Sequence, residues 1–112
     1  PQEKIAKARK QLEDGHLAVA VIEVQKPSDK IPEIEQTYST GAVCLALLNA
    51  ALAAGWGANW LTGWHVYNKS FLKNGLKLKD NESIAGLIYL GTATITPPER
   101  PRPTLDEIVE WL

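Results

Sequence analysis

Gly55-Trp56-Gly57-Ala58-Asn59-Trp60-Leu61-Thr62-Gly63-Trp64 packs three glycines and three tryptophans into ten residues, and the neighbouring segments take their assignments from it. Gly55 reads as the stop of a preceding helix and Gly55-Trp56-Gly57 as a turn. Residues 58–61 then begin a short strand, which Thr62-Gly63 breaks. Upstream, the pattern predicts a long helix over 32–54. Pro32 suits the first helical position, and Glu33 and Glu35 set negative charge near the positive end of the helix dipole. Beyond Gly41, Val43, Leu45, Leu47, Leu48 and Leu52 cover every side of that helix. Its second half is therefore expected to be enclosed on all sides, with a second subunit as part of the enclosure.

Further upstream, residues 26–32 carry two prolines with Ser28 and Asp29 and read as a loop. Residues 17–24 are almost unbroken Leu, Ala, Val and Ile, the composition of a strand covered on both faces at the centre of a sheet. Residues 1–13 place Ile5, Ala8 and Leu12 at helical spacing among charges, with Gly15 as a stop. Downstream, Asn68 is positioned to cap a short helix through Lys73, closed by Gly75, with Trp64, Tyr67, Phe71 and Leu72 as its apolar side. Asp80-Asn81 makes a turn, and 83–92 forms a second nearly all-apolar strand. Pro97, Pro98, Pro101 and Pro103 then bar regular structure until Thr104, which forms a capping box with Glu107 for a terminal helix through Trp111. Buried strands alternating with helices indicate a mixed α/β or α+β sheet.

At 112 residues the chain fits one domain with a core of its own. Apolar residues make up 45% and charged ones 22%, ordinary globular usage. Twelve basic against thirteen acidic residues leave a net charge of −1, which offers no field for a polyanion and argues against nucleic acid as partner. The single cysteine, Cys44, has no partner within the chain for a disulfide, and the cytoplasm is the expected compartment. The apolar run 42–54 is shorter than the ~20 residues a membrane span needs, so no membrane is expected. The opening Pro1-Gln2-Glu3-Lys4 shows no secretory signal and no initiator methionine, and Pro1 is read as an interior position.

Several chemistries find no support. Gly55-Trp56-Gly57 lacks a third glycine and follows a helix, whereas a dinucleotide turn follows a strand and opens one. His16 and His65 lie far apart with no second ligand at metal spacing, so no metal site is expected and both are read as structural. No nucleophile elbow is present, and Cys44 is too deeply placed to act as one. Two features resist a purely structural reading. In 55–64, glycine allows a flat ligand close to the backbone and tryptophan supplies apolar walls, with core packing an equal competitor on composition. In Pro98-Glu99-Arg100-Pro101-Arg102-Pro103, prolines stiffen a loop bearing two arginines; such a pair suits a phosphate, but on the residues alone an exposed basic loop is the favoured reading.

Taken in order, Glu35-Gln36 through Ser39-Thr40-Gly41-Ala42, then Gly55-Trp56-Gly57 with Trp60-Leu61-Thr62-Gly63-Trp64, then 84–92 and the arginine-bearing loop, the chain resembles the nitroreductase family. The resemblance covers nearly the whole of 1–112, as the carboxy-terminal part of a single domain. It implies an α+β fold with a mixed central sheet flanked by helices, and an obligate homodimer with one FMN in each of two clefts at the interface. It also implies NADH or NADPH as reductant and nitroaromatics, quinones or related molecules as acceptors. Carried over by position, Thr62 and Gly63 match the pair beside the flavin N5 edge, Trp60 and Leu61 lead into it, and Arg100 and Arg102 match the pair that holds the FMN phosphate. No side chain is implied as a general acid. The family's opening segment, rich in arginine and serine, has no counterpart here, so the chain is expected to supply part of a flavin site. A non-catalytic flavin-binding module and a dimerisation fragment of the same fold are the competing readings.

Overall fold

A computed structural model describes residues 2–112, and for Gln11 its backbone. Pro1, the first residue of the expected helix over 1–13, lies outside the described residues. The elements run α1 (Gln2–Glu13), β1 (Leu17–Val24), α2 (Glu33–Ala53), β2 (Gly57–Leu61), a 3₁₀ turn (Trp64–Tyr67), a π-helical turn (Phe71–Gly75), β3 (Glu82–Gly91) and α3 (Leu105–Ile108).

The sheet order is β1-β3-β2, antiparallel throughout among the described residues, so the parallel pairings of a mixed sheet do not occur between these strands. β3, not β1, takes the centre. That corrects the expected central place of 17–24: Leu17, Val19 and Val24 on the edge strand are exposed, while Ile84, Leu87 and Ile88 on β3 are buried. Both strands are largely apolar, and an apolar run does not reveal which neighbour it lacks. A register shift between Val21 and Ile22 leaves Ala85 of β3 outside the one-to-one pairing. Such a bulge bends the strand and re-aims its side chains.

α2 crosses from β1 to β2 and packs against all three strands. Its bounds agree with the sequence to one residue at each end. Pro32 stands just before the first turn, and Gly55, at φ +86°, follows the last in the left-handed region that closes helices. The loop before it is clasped by Gln36, whose side chain accepts from the Lys26 amide and donates to the Lys26 carbonyl, both at 2.9 Å. A small hydrophobic core gathers Val66, Ile84 and Leu87 with Ile22, Leu72, Leu78 and Tyr89. Asn68 starts the π-helical segment as its residue type predicts, its Oδ1 accepting from the Phe71 amide at 2.8 Å.

Two expectations fail within the chain. The enclosure of α2 is missing, since Cys44 alone on that helix is buried while Val43, Leu45 and Leu52 stand half-exposed. The terminal helix stops at Ile108 and does not reach Trp111, because Val109 is extended and Trp111, 90% exposed, has nothing to pack on. The capping-box contact does form, with the Thr104 amide donating to Glu107 Oε2 at 2.7 Å.

Candidate functional site

The site is built on the open end of β2. Trp60, on β2, pairs with Ile88 of β3, and its indole leans diagonally over Gly86, two residues along. A Cβ at Gly86 would lie 2.1 Å from the indole nitrogen, so Gly86 is what lets this ring lie flat on the sheet. The ring remains 38% exposed and walls a cleft of about 510 Å³ with Tyr38 and Tyr67.

The floor of that cleft holds Glu23, nearly buried, which sequence reasoning passed over. Its carboxylate accepts from the Thr37 hydroxyl at 2.6 Å, from the Ser83 hydroxyl at 3.3 Å, and from the Gln25 side-chain amide. Three donors repay the desolvation of the carboxylate and tie β1, β3 and α2 together. The available signal was one carboxylate inside an otherwise apolar strand, Leu-Ala-Val-Ala-Val-Ile-Glu-Val.

Leu61 is half-buried, Thr62 is exposed and Gly63 half-buried. The Gly63 carbonyl accepts from the Val66 amide at 3.2 Å, which starts the 3₁₀ turn, while neither Thr62 nor Gly63 donates its own amide to a described turn, loop or cap carbonyl. Backbone amides at such a strand end are the donor chemistry an electron-rich ring edge requires. Against Gly63 lies His65, 1% exposed and edge-on to both Trp64 and Phe71. Neither ring nitrogen of His65 has a hydrogen-bond partner. Trp64, on the other side, walls a cleft of about 630 Å³ with Ile5, Ala8 and Leu12 of α1.

Arg100 and Arg102 are exposed on the extended tail beyond β3, and neither forms an ion pair among the described residues. The antiparallel register separates Gly63 from the point at which their tail departs. Gly57 lies beside Gly91 and Ala93, where the tail leaves the sheet, and Gly63 lies past the far end of β2, about 20 Å away at the usual rise per residue. The nine residues from Gly91 to Arg100 span at most about 30 Å, enough for the tail to return along the sheet or to cross to a neighbouring molecule. Among the described residues no group of histidine, cysteine and carboxylate side chains is set to hold a metal, and no helix is long and apolar enough to cross a membrane. Cys44 is fully enclosed, and its burial pushes the thiol above its ordinary pKa.

No family profile matches the chain. Over 88 residues it is 30% identical to the protein named "Putative NAD(P)H nitroreductase YdjA" of Escherichia coli, a span covering 79% of this chain and 48% of that one. It superposes on a nitroreductase-like family protein from Bacillus cereus with a TM-score of 0.81 and 24% identity, over 100% of this chain and 61% of the other. A structure described as a putative nitroreductase in complex with FMN, from Exiguobacterium sibiricum, aligns with a TM-score of 0.60 and 18% identity, over 99% of this chain and 48% of the other. The chain spans about half the length of the curated relatives it matches.

Proposed function

This chain is a relative of the nitroreductase family with that family's α+β fold, and on that premise we propose that it supplies the carboxy-terminal part of one flavin-binding domain. The whole protein acts in this reading as an FMN-dependent oxidoreductase, drawing on NADH or NADPH and passing electrons to nitroaromatic, quinone or similar acceptors. The observation that supports it is the end of β2, where Thr62 and Gly63 follow Trp60, whose part-exposed indole walls a cleft with Tyr38 and Tyr67.

The residues present fit part of an FMN. Bound FMN supplies reversible hydride and electron transfer, chemistry that no side chain here provides. The Thr62 and Gly63 amides would hold the charge that gathers at the ring's N5 edge, and backbone donors fixed in advance do this without reorganisation. Trp60 and Leu61 lead the ring into place. Arg100 and Arg102, unpaired with any described carboxylate, would clasp the phosphate, and the flanking prolines reduce the entropy lost in doing so. The remaining contacts fall to other polypeptide, with a second copy of the chain forming the homodimer that covers α2.

Anaerobic addition of NADPH to the assembled protein tests the activity. The expected result is a yellow protein whose flavin absorption bleaches and returns with a quinone. A protein that holds FMN but is not reduced would be a storage or sequestering module, and a colourless, FMN-indifferent one would end the flavin reading.

A further inference from the structure

We propose that His65 is a positioning residue for the flavin-facing strand end: its imidazole is the wall that fixes where Thr62 and Gly63 present their amides. The inference rests on the flavin reading above. Gly63 is fully extended, a conformation open to any residue, so backbone freedom does not account for a glycine at this position. Space does. A Cβ built on Gly63 would lie 2.9 Å from His65 Cε1 and 3.1 Å from Nδ1, with both contacts falling on a ring that has nowhere to go. The ring is 1% exposed, and Trp64 and Phe71 meet it edge-on, at centroid distances of 5.8 and 6.0 Å and interplanar angles of 88° and 84°.

Its two nitrogens are buried without partners, and so contribute nothing to cohesion within the chain. What the imidazole offers is a small ring met edge-on by Trp64 and Phe71, whose Cε1 and Nδ1 take the space a Cβ on Gly63 would need. The carbonyl of Gly63 is bound in turn by Val66, so the ring and the 3₁₀ turn hold the same peptide from two directions. Displacing the ring frees the amides before it and moves the ring contact without touching the flavin directly.

The test uses the complete assembled protein in four variants, His65→Ala, Gly63→Ala, both together, and His65→Phe, each checked for cooperative unfolding of its apo form. The readouts are FMN affinity, visible circular dichroism of the bound flavin and its reduction potential. His65→Ala and Gly63→Ala are each expected to weaken FMN about tenfold and to shift the flavin dichroism and potential, whereas the pair together is no weaker than His65→Ala alone, because one contact is lost once. His65→Phe, which keeps a flat ring, stays within about threefold of wild type. Multiplicative losses, or a folded His65→Ala with unchanged affinity and potential, would overturn the inference. If His65→Ala does not fold, Gly63→Ala decides, and a normal flavin site there overturns it. A wild-type protein that fails to take up FMN overturns the functional reading and this one together, whereas normal uptake with silent variants removes this one only.

Discussion

Gly86 and Trp60 show how a residue's role depends on register. Tryptophan beside glycine in 55–64 announced an aromatic wall, but the indole rests on a glycine 26 positions later, which no local pattern reveals. Replacing Gly86 with alanine forces that ring off the sheet, and we expect a loss of about 1–3 kcal/mol in unfolding measurements together with a red shift of tryptophan fluorescence. Glu23 offers a second case. Glu23→Leu removes the acceptor for Thr37, Gln25 and Ser83 and leaves their donors facing an apolar side chain. A loss of about 1–3 kcal/mol by denaturant titration is expected, and Glu23→Gln, which retains an acceptor oxygen, should lose less. His65 was read as structural from the absence of ligand spacing. Its contact with Gly63, two residues away, arises from the extended backbone and not from any motif.

At the scale of elements, the strands and the long helix were legible because each carries a strong apolar pattern bounded by proline or glycine. What could not be read was neighbourhood. β1 and β3 are both largely apolar, and only the order β1-β3-β2 decides which is central. The bulge at Ala85 and the shortening of α3 likewise follow from tertiary surroundings. Cys44 tests whether α2 is anchored as described: desolvation raises its pKa and keeps the thiol protonated, and enclosure denies access. In the native protein at pH 8 a thiol reagent should react with Cys44 at least about a hundredfold more slowly than in denaturant, as expected when modification waits on opening of the structure. Fast native labelling would show that α2 is not held against the sheet.

For the whole molecule, exposed area and dimensions carry the main lesson. The accessible surface is 9484 Å², against about 6,100 Å² expected for a folded monomer of 12.3 kDa. The radius of gyration is 17.0 Å, against about 13 Å for a compact domain near this size. Such an excess, with Val43, Leu45, Leu52, Trp56 and Leu105 exposed, is the surface expected of a chain that completes its core with other polypeptide, as proposed above. The cover expected on all sides of α2 is not found within this chain, where only Cys44 of that helix is buried. Expressed alone, the 112 residues are expected to self-associate or to bind hydrophobic dye strongly. A monomeric, dye-silent species in light scattering would contradict that.

Titration of FMN into the assembled protein, followed by quenching of flavin fluorescence, tests the central claim most directly. The account predicts saturation at one FMN per chain, and a loss of at least about tenfold in affinity when Arg100 and Arg102 are both replaced by alanine, since charged hydrogen bonds contribute about 1.5–3 kcal/mol each. Absence of saturable binding, or affinity indifferent to both arginines, would contradict it.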